Sequence, residues 1–180
     1  MIKLTQKVFI VTTVFIISLS YSLSSYAHMM VAQHGTINIV DDGAFMVLSL
    51  PVSAFGDIDD NKDGGLSQEE FSRHKANIIE QVSKKAVLTS EHGKQLLEGI
   101  IVSRVKEHGS LKQPSTQLIV MGRYQLSATN EPLSFSLQLF GSQFIEQQIE
   151  ITATKKGKLK HIFELNPQTV IQPLFLQMPQ

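Results

Sequence analysis

Leu118-Ile119-Val120-Met121-Gly122-Arg123-Tyr124-Gln125-Leu126 and, further on, Leu133-Ser134-Phe135-Ser136-Leu137-Gln138-Leu139 decide how this chain is read. In an extended chain successive side chains point to opposite faces. Leu118, Val120, Gly122, Tyr124 and Leu126 therefore share one face, as do Leu133, Phe135, Leu137 and Leu139 against Ser134, Ser136 and Gln138. A helix would need a period near 3.6, which neither stretch has.

The same alternation extends outward in both directions. Ile149, Ile151 and Ala153 form a shorter series, and Ile162–Leu165 and Thr169–Phe175 read as strands. Breakers separate them at Asn130-Glu131-Pro132, Lys156-Gly157-Lys158 and Asn166-Pro167. Near the start, Thr36–Asp41 and Ala44–Leu50 form a predicted hairpin about Asp42-Gly43, a turn whose two positions need positive φ. Phe45, Met46, Val47, Leu48 and Leu50 make its second strand apolar on both faces, which predicts a buried strand. Leu96–Val105 carries a β-branched run that favours strand, although Leu96, Leu97, Ile100 and Ile101 also suit a helix face. About eight short strands predict a mainly β (α+β) protein, an antiparallel β-sandwich or partly open barrel.

One segment breaks the pattern. Pro51 ends the second strand, and Ser53-Ala54-Phe55 can form a short helical turn. Phe71, Ile78, Ile79, Val82 and Ala86 then recur at helical spacing, predicting a helix over about Ser67–Val87. Gly93 stops any continuation. The loop and helix thus form an insertion at 51–87 in a single β-rich domain spanning 28–180.

The 180-residue chain begins with Lys3 and Lys7, an apolar or hydroxyl run over Val8–Ser18, and small residues at Ser25 and Ala27. That is the layout of a secretory signal peptide over 1–27, which predicts a periplasmic or secreted protein. Removing 27 residues leaves 153, enough for one domain with a real core. With Lys3 and Lys7 gone, 14 basic residues face 16 acidic ones. A net charge near −2 gives no reason to expect nucleic acid as partner. No later segment is long and apolar enough to span a membrane. The chain has no cysteine, so neither disulfides nor a lipidated cysteine enter the reading. Phosphate loops, G-x-S-x-G, HExxH and cysteine nucleophiles are missing too, so no enzyme is expected.

The chemistry lies in Asp59-Asp60-Asn61-Lys62-Asp63-Gly64-Gly65-Leu66-Ser67-Gln68-Glu69-Glu70. Oxygen-bearing side chains stand at positions one, three, five, nine and twelve, with glycine at six for the sharp turn. This stretch resembles the EF-hand calcium loop at every specified position. The resemblance implies Ca²⁺ held by Asp59, Asn61 and Asp63 side chains, the Gly65 carbonyl, Ser67 directly or through water, and both oxygens of Glu70. Leu66 is the loop's inward apolar residue. Pro51 leaves room for only a short turn before the loop, and no second such loop exists, so a weak or structural site is expected rather than an opening sensor. Ser67-Gln68-Glu69-Glu70 also reads as a capping box, which accounts for Ser67 and Glu70 without a metal.

A second resemblance rests on order: hairpin, acidic Asp63-Gly64 loop, helix, Gly122-Arg123-Tyr124, then Leu139-Phe140. It is similar to the extracytoplasmic N-terminal region of hydrogenase- and urease-accessory nickel permeases, which implies a periplasmic domain near metal transport. The alternative function is a copper or nickel module. Cleavage after Ala27 exposes the His28 amine and imidazole, and an extended chain would put Met30, Ala32 and His34 on the same face. His74, His92, His108 and His161 show no acidic or imidazole partner at ligand spacing. An exposed sheet edge leaves room for a protein partner in the periplasm or envelope.

Overall fold

The structure, a computed structural model, describes residues 32–105, 113–126 and 131–176. The expected signal peptide, His28, Met30 and His108 lie outside them. The fold is mainly β, and among the described residues it comprises two sheets with one α-helix and no closed barrel.

β1 (His34–Val40) and β2 (Gly43–Pro51) form the predicted hairpin, but its turn sits one residue earlier, at Asp41-Asp42. Asp41 takes the positive φ, 49°, and Gly43 already pairs with Val40 as the first residue of the strand. Aspartate tolerates the left-handed region. Gly43 is needed for a different reason: a Cβ there would stand 2.5 Å from Arg123 Nε, in the path of the guanidinium that reaches Asp42 Oδ1 at 2.9 Å.

The larger sheet runs β5-β6-β2-β1-β8-β9, with β5 at Leu97–Arg104, β6 at Gln117–Gln125, β8 at Ile149–Lys155 and β9 at Leu159–Leu165. The expectation of a wholly antiparallel arrangement is corrected here, because β1 and β8 pair in parallel, Thr36 opposite Thr152. Alternation has the same period whichever way a strand runs, so it carries no direction. The smaller sheet is β10-β7-β3-β4, from Ile171–Pro173, Ser134–Leu137, Ala86–Ser90 and Gly93–Lys94.

The described residues thus hold ten strands rather than about eight. β3 and β4 are the additions, and β3 takes the end expected for the helix. α1 covers Gln68–Lys85 and stops there, because Ala86 and Val87 pair with Leu137 and Ser136 of β7. The β2 strand is not buried on both faces either, since Phe45 is 47% exposed on the outer face.

Ile37, Ile39, Met46 and Leu48 from the larger sheet join Leu88, Phe135 and Leu137 from the smaller one in a single core, closed by Ile78 and Val82 of α1. Full burial of such side chains contributes roughly 1.5–3 kcal/mol each. Tyr124, fully buried on β6, donates its hydroxyl to the Ala86 carbonyl at 2.9 Å, where α1 hands over to β3. Burial pushes its phenol well above the ordinary value of 10. No helix among the described residues is long and apolar enough to cross a membrane.

Candidate metal centre

The chain leaves β2 through a 3-10 turn at Val52–Ala54, so the loop has no entering helix. Its upstream side is held by apolar burial instead, Phe55 at 4% exposure and Ile58 at 1%. Downstream, Leu66 is fully buried and forms an isolated antiparallel bridge with Ser115, N–H to carbonyl at 2.8 and 3.0 Å. The loop is therefore clamped on both sides while its acidic tip faces solvent.

Within the tip, Asp59 accepts the amides of Gly64 at 2.9 Å and Asp63 at 3.3 Å. Asn61 Oδ1 accepts the Asp63 amide at 3.1 Å, and its Nδ2 donates to Asp63 Oδ2 at 2.9 Å. Asp63 Oδ1 in turn accepts from the Gly65 amide at 2.9 Å. The chain can curl so tightly because Lys62 and Gly64 adopt φ of 58° and 84°. Three of the expected ligand side chains thus share one turn. Gly65 has a further reason to be glycine, since a Cβ there would stand 2.4 Å from the Pro114 Cβ.

Glu70 behaves differently from a simple ligand. Ser67 caps α1, accepting the Glu70 amide at 3.2 Å, while Glu70 Oε2 accepts the Ser67 amide at 2.8 Å. Its Oε1 accepts the amides of Asp60 at 3.0 Å and Asn61 at 3.4 Å. The Ser67 hydroxyl, then the surrounding amides, hold this carboxyl below its ordinary value of 4.5 against the opposing effect of burial. A carboxylate has about four lone-pair sites, and three are directed at backbone amides.

The donor set is all oxygen, which suits a hard divalent cation. Asp59, Asn61 and Asp63 bring side-chain oxygens of that kind into one turn, where each already accepts hydrogen bonds from the loop itself. A two-oxygen grip by Glu70 competes with its amide bonds, and among the described residues no group of three or more His, Asp or Glu side chains converges at ligating distance.

Sequence reasoning missed several residues that build the loop. Arg104 of β5 donates to the Leu66 carbonyl and to Gln68 Oε1, both at 2.9 Å. Asp60 pairs with Arg73 and, at 2.8 Å, with His74 Nε2. His74 therefore has an acidic partner after all, fourteen residues upstream. No local pattern announces Arg104, Ser115 or Pro114, but Asp60 and His74 share the signal that a helix's first turns face the loop before it.

The copper or nickel reading is not assembled by the described residues. Gln33 has φ of 55°, so the chain is not extended there, and His34 Nδ1 donates to the Ala32 carbonyl at 2.9 Å. His34 Nε2 lies 3.4 Å from Glu150. His92 faces Glu131 at 3.8 Å, again a partner the sequence did not disclose, while His161 Nδ1 contacts the Leu174 carbonyl at 3.0 Å. No model of a known protein family matches this chain, and no curated protein matches it.

Proposed function

We propose that this chain is an exported calcium-binding module in which the Asp59–Glu70 loop holds one Ca²⁺ as a structural or weak-affinity site, supporting contact with a protein partner in the periplasm or envelope. The observation that carries the reading is the tip itself. Asp59, Asn61 and Asp63 lie in one turn, with Lys62 and Gly64 left-handed between and beside them. A cation between these oxygens offsets the repulsion of two carboxylates held a few residues apart.

Opening sensors work by changing the angle between two helices. Here the upstream helix is replaced by Phe55 and Ile58 fixed in the core, so calcium acts as a strut. Unpaired extracellular sites of this kind have dissociation constants of roughly 10⁻⁴–10⁻³ M.

The test is calorimetric titration of the exported form with calcium, magnesium, copper and nickel, joined to thermal unfolding in calcium and in chelator. Calcium at ten times its dissociation constant should stabilise by about 1.4 kcal/mol. Asp59→Ala and Asn61→Ala should each remove that calcium-dependent increment. Equal midpoints with and without calcium in the wild type would sink the reading.

A further inference from the structure

An edge strand presents unpaired N–H and C=O groups on which another strand can form. Among the described residues the two sheets end in β5, β9, β10 and β4. Three of these edges carry a feature that discourages pairing. β5 is bulged between Glu98 and Ile101, β4 has only two residues, and β10 has three and ends in Pro173. β9 has no such feature. Its seven residues pair with β8 in unbroken register from Leu159 to Leu165, without proline or bulge.

The neighbouring strands fix which backbone groups of β9 are free. The amides of Glu150 and Lys156 donate to the Gln33 and Ile39 carbonyls of the β1 side, both at 3.0 Å. Even-numbered residues of β8 therefore bond toward β1. Odd-numbered ones, Ile151 and Ala153, turn to β9 and face Phe163 and His161. The N–H and C=O groups of Lys160, Ile162 and Glu164 consequently point away from the sheet, and no described residue pairs with them. The side chains of these three residues are exposed on the outer face, Ile162 by 48%.

We propose that β9 pairs antiparallel with β9 of a second copy, about a two-fold axis at Ile162, joining two larger sheets into one. The strand's own charges name the occupant. This axis sets Ile162 opposite Ile162 and, twice over, Lys160 opposite Glu164 of the second copy. Lys160 has no ion-pair partner among the described residues. Glu164 meets the amide of Gln148, which is neutral and leaves its charge uncompensated. A lone edge lysine repels a foreign strand that lacks a facing carboxylate, but a second copy always supplies one.

The register is equally constrained. All three edge residues of each strand are used, giving about six backbone hydrogen bonds. A slip of two residues either way leaves one of them unpaired and sets Lys160 or Glu164 opposite Ile162. The antiparallel direction also sends the Lys155-Lys156-Gly157-Lys158 turns to opposite ends, whereas a parallel pair would bring them together. A contact one strand wide is small, so association is weak and concentration-dependent.

Sedimentation equilibrium in chelator and low salt, over micromolar to millimolar concentrations, reads association independently of calcium. The wild type should approach the mass of a dimer. Lys160→Glu and Glu164→Lys should each weaken self-association roughly tenfold or more, because like charges then face each other at both ends of the strand. Mixed together, the two variants should form a one-to-one dimer, since every facing pair is again of opposite sign. Amide exchange locates the contact. The amides of Lys160, Ile162 and Glu164 should be protected only at high concentration, and those of His161 and Phe163, bonded to β8, at every concentration. A monomeric wild type, single variants that associate as the wild type does, a mixture no tighter than either variant alone, or a dimer with unchanged Ile162 exchange would each overturn the proposal. A monomer whose Ile162 amide is protected at every concentration would overturn it in favour of another segment of the same chain.

Discussion

Glu70 Oε1 accepts the backbone amide of Asp60 at 3.0 Å, closing the acidic loop onto its second residue through a hydrogen bond of the chain's own. The same carboxylate caps α1 through the Ser67 amide. One buried side chain, 5% exposed, therefore serves both the loop and the helix, and its two roles can be separated by experiment.

Glu70→Gln should destabilise the protein even in chelator. Glutamine keeps a single acceptor oxygen and turns an NH₂ toward amides that need an acceptor, a loss of about 1–2 kcal/mol. Urea unfolding in chelator measures it. An unchanged midpoint would mean that Glu70 is not the cap, whereas a shift seen only with calcium would assign it to the metal alone.

Acid should expose the same carboxyl. Its folded pKa is lowered from 4.5, first by the Ser67 hydroxyl and then by the amides around it. Protons bind the unfolded chain more readily, so this stabilisation is present above pH 4.5 and fades as pH falls through the lowered folded value. Wild-type stability should therefore drop across that window more steeply than that of Glu70→Gln, by denaturant melts at stepped pH.

Gly64 and Gly65 are adjacent but should fail for different reasons. A Cβ at Gly64 meets open space, yet its φ of 84° is left-handed, so Gly64→Ala should destabilise by about 1–2 kcal/mol through backbone strain. Gly65→Ala has no such strain and instead drives a methyl into Pro114. Pairing it with Pro114→Gly should recover part of the loss, while the same partner should leave Gly64→Ala uncorrected. Thermal midpoints of the four variants and the wild type decide.

Tyr124→Phe should lower stability by about 1–3 kcal/mol, because the buried Ala86 carbonyl loses its hydroxyl donor. Burial raises the folded phenol pKa above 10. Stability is therefore undiminished below pH 10 and falls as pH rises past the unfolded value. The phenylalanine variant should lack this component of alkaline unfolding.

The acidic loop was legible because its signal is local: twelve consecutive residues set the spacing of Asp59, Asn61 and Asp63 and the Ser67–Glu70 cap. What clamps the loop was not. Arg104 lies on β5 and Ser115 just ahead of β6, and they reach Leu66 only after the sheet has formed. The helix was read two residues past its true end at Lys85 because Val87 suits either a helix face or a strand, and only pairing with Ser136 of β7 decides between them.

The amino-acid order by itself determined the mainly β character, the inserted helix and the composition of the acidic turn, because side-chain period and turn chemistry act over a few residues. Tertiary structure alone decided the parallel β1–β8 pairing, the ten strands of the described residues, the shift of the hairpin turn to Asp41-Asp42 and the diversion of Glu70 to backbone amides. Those outcomes depend on which distant segments compete for the same hydrogen bonds, and local periodicity contains no term for that competition.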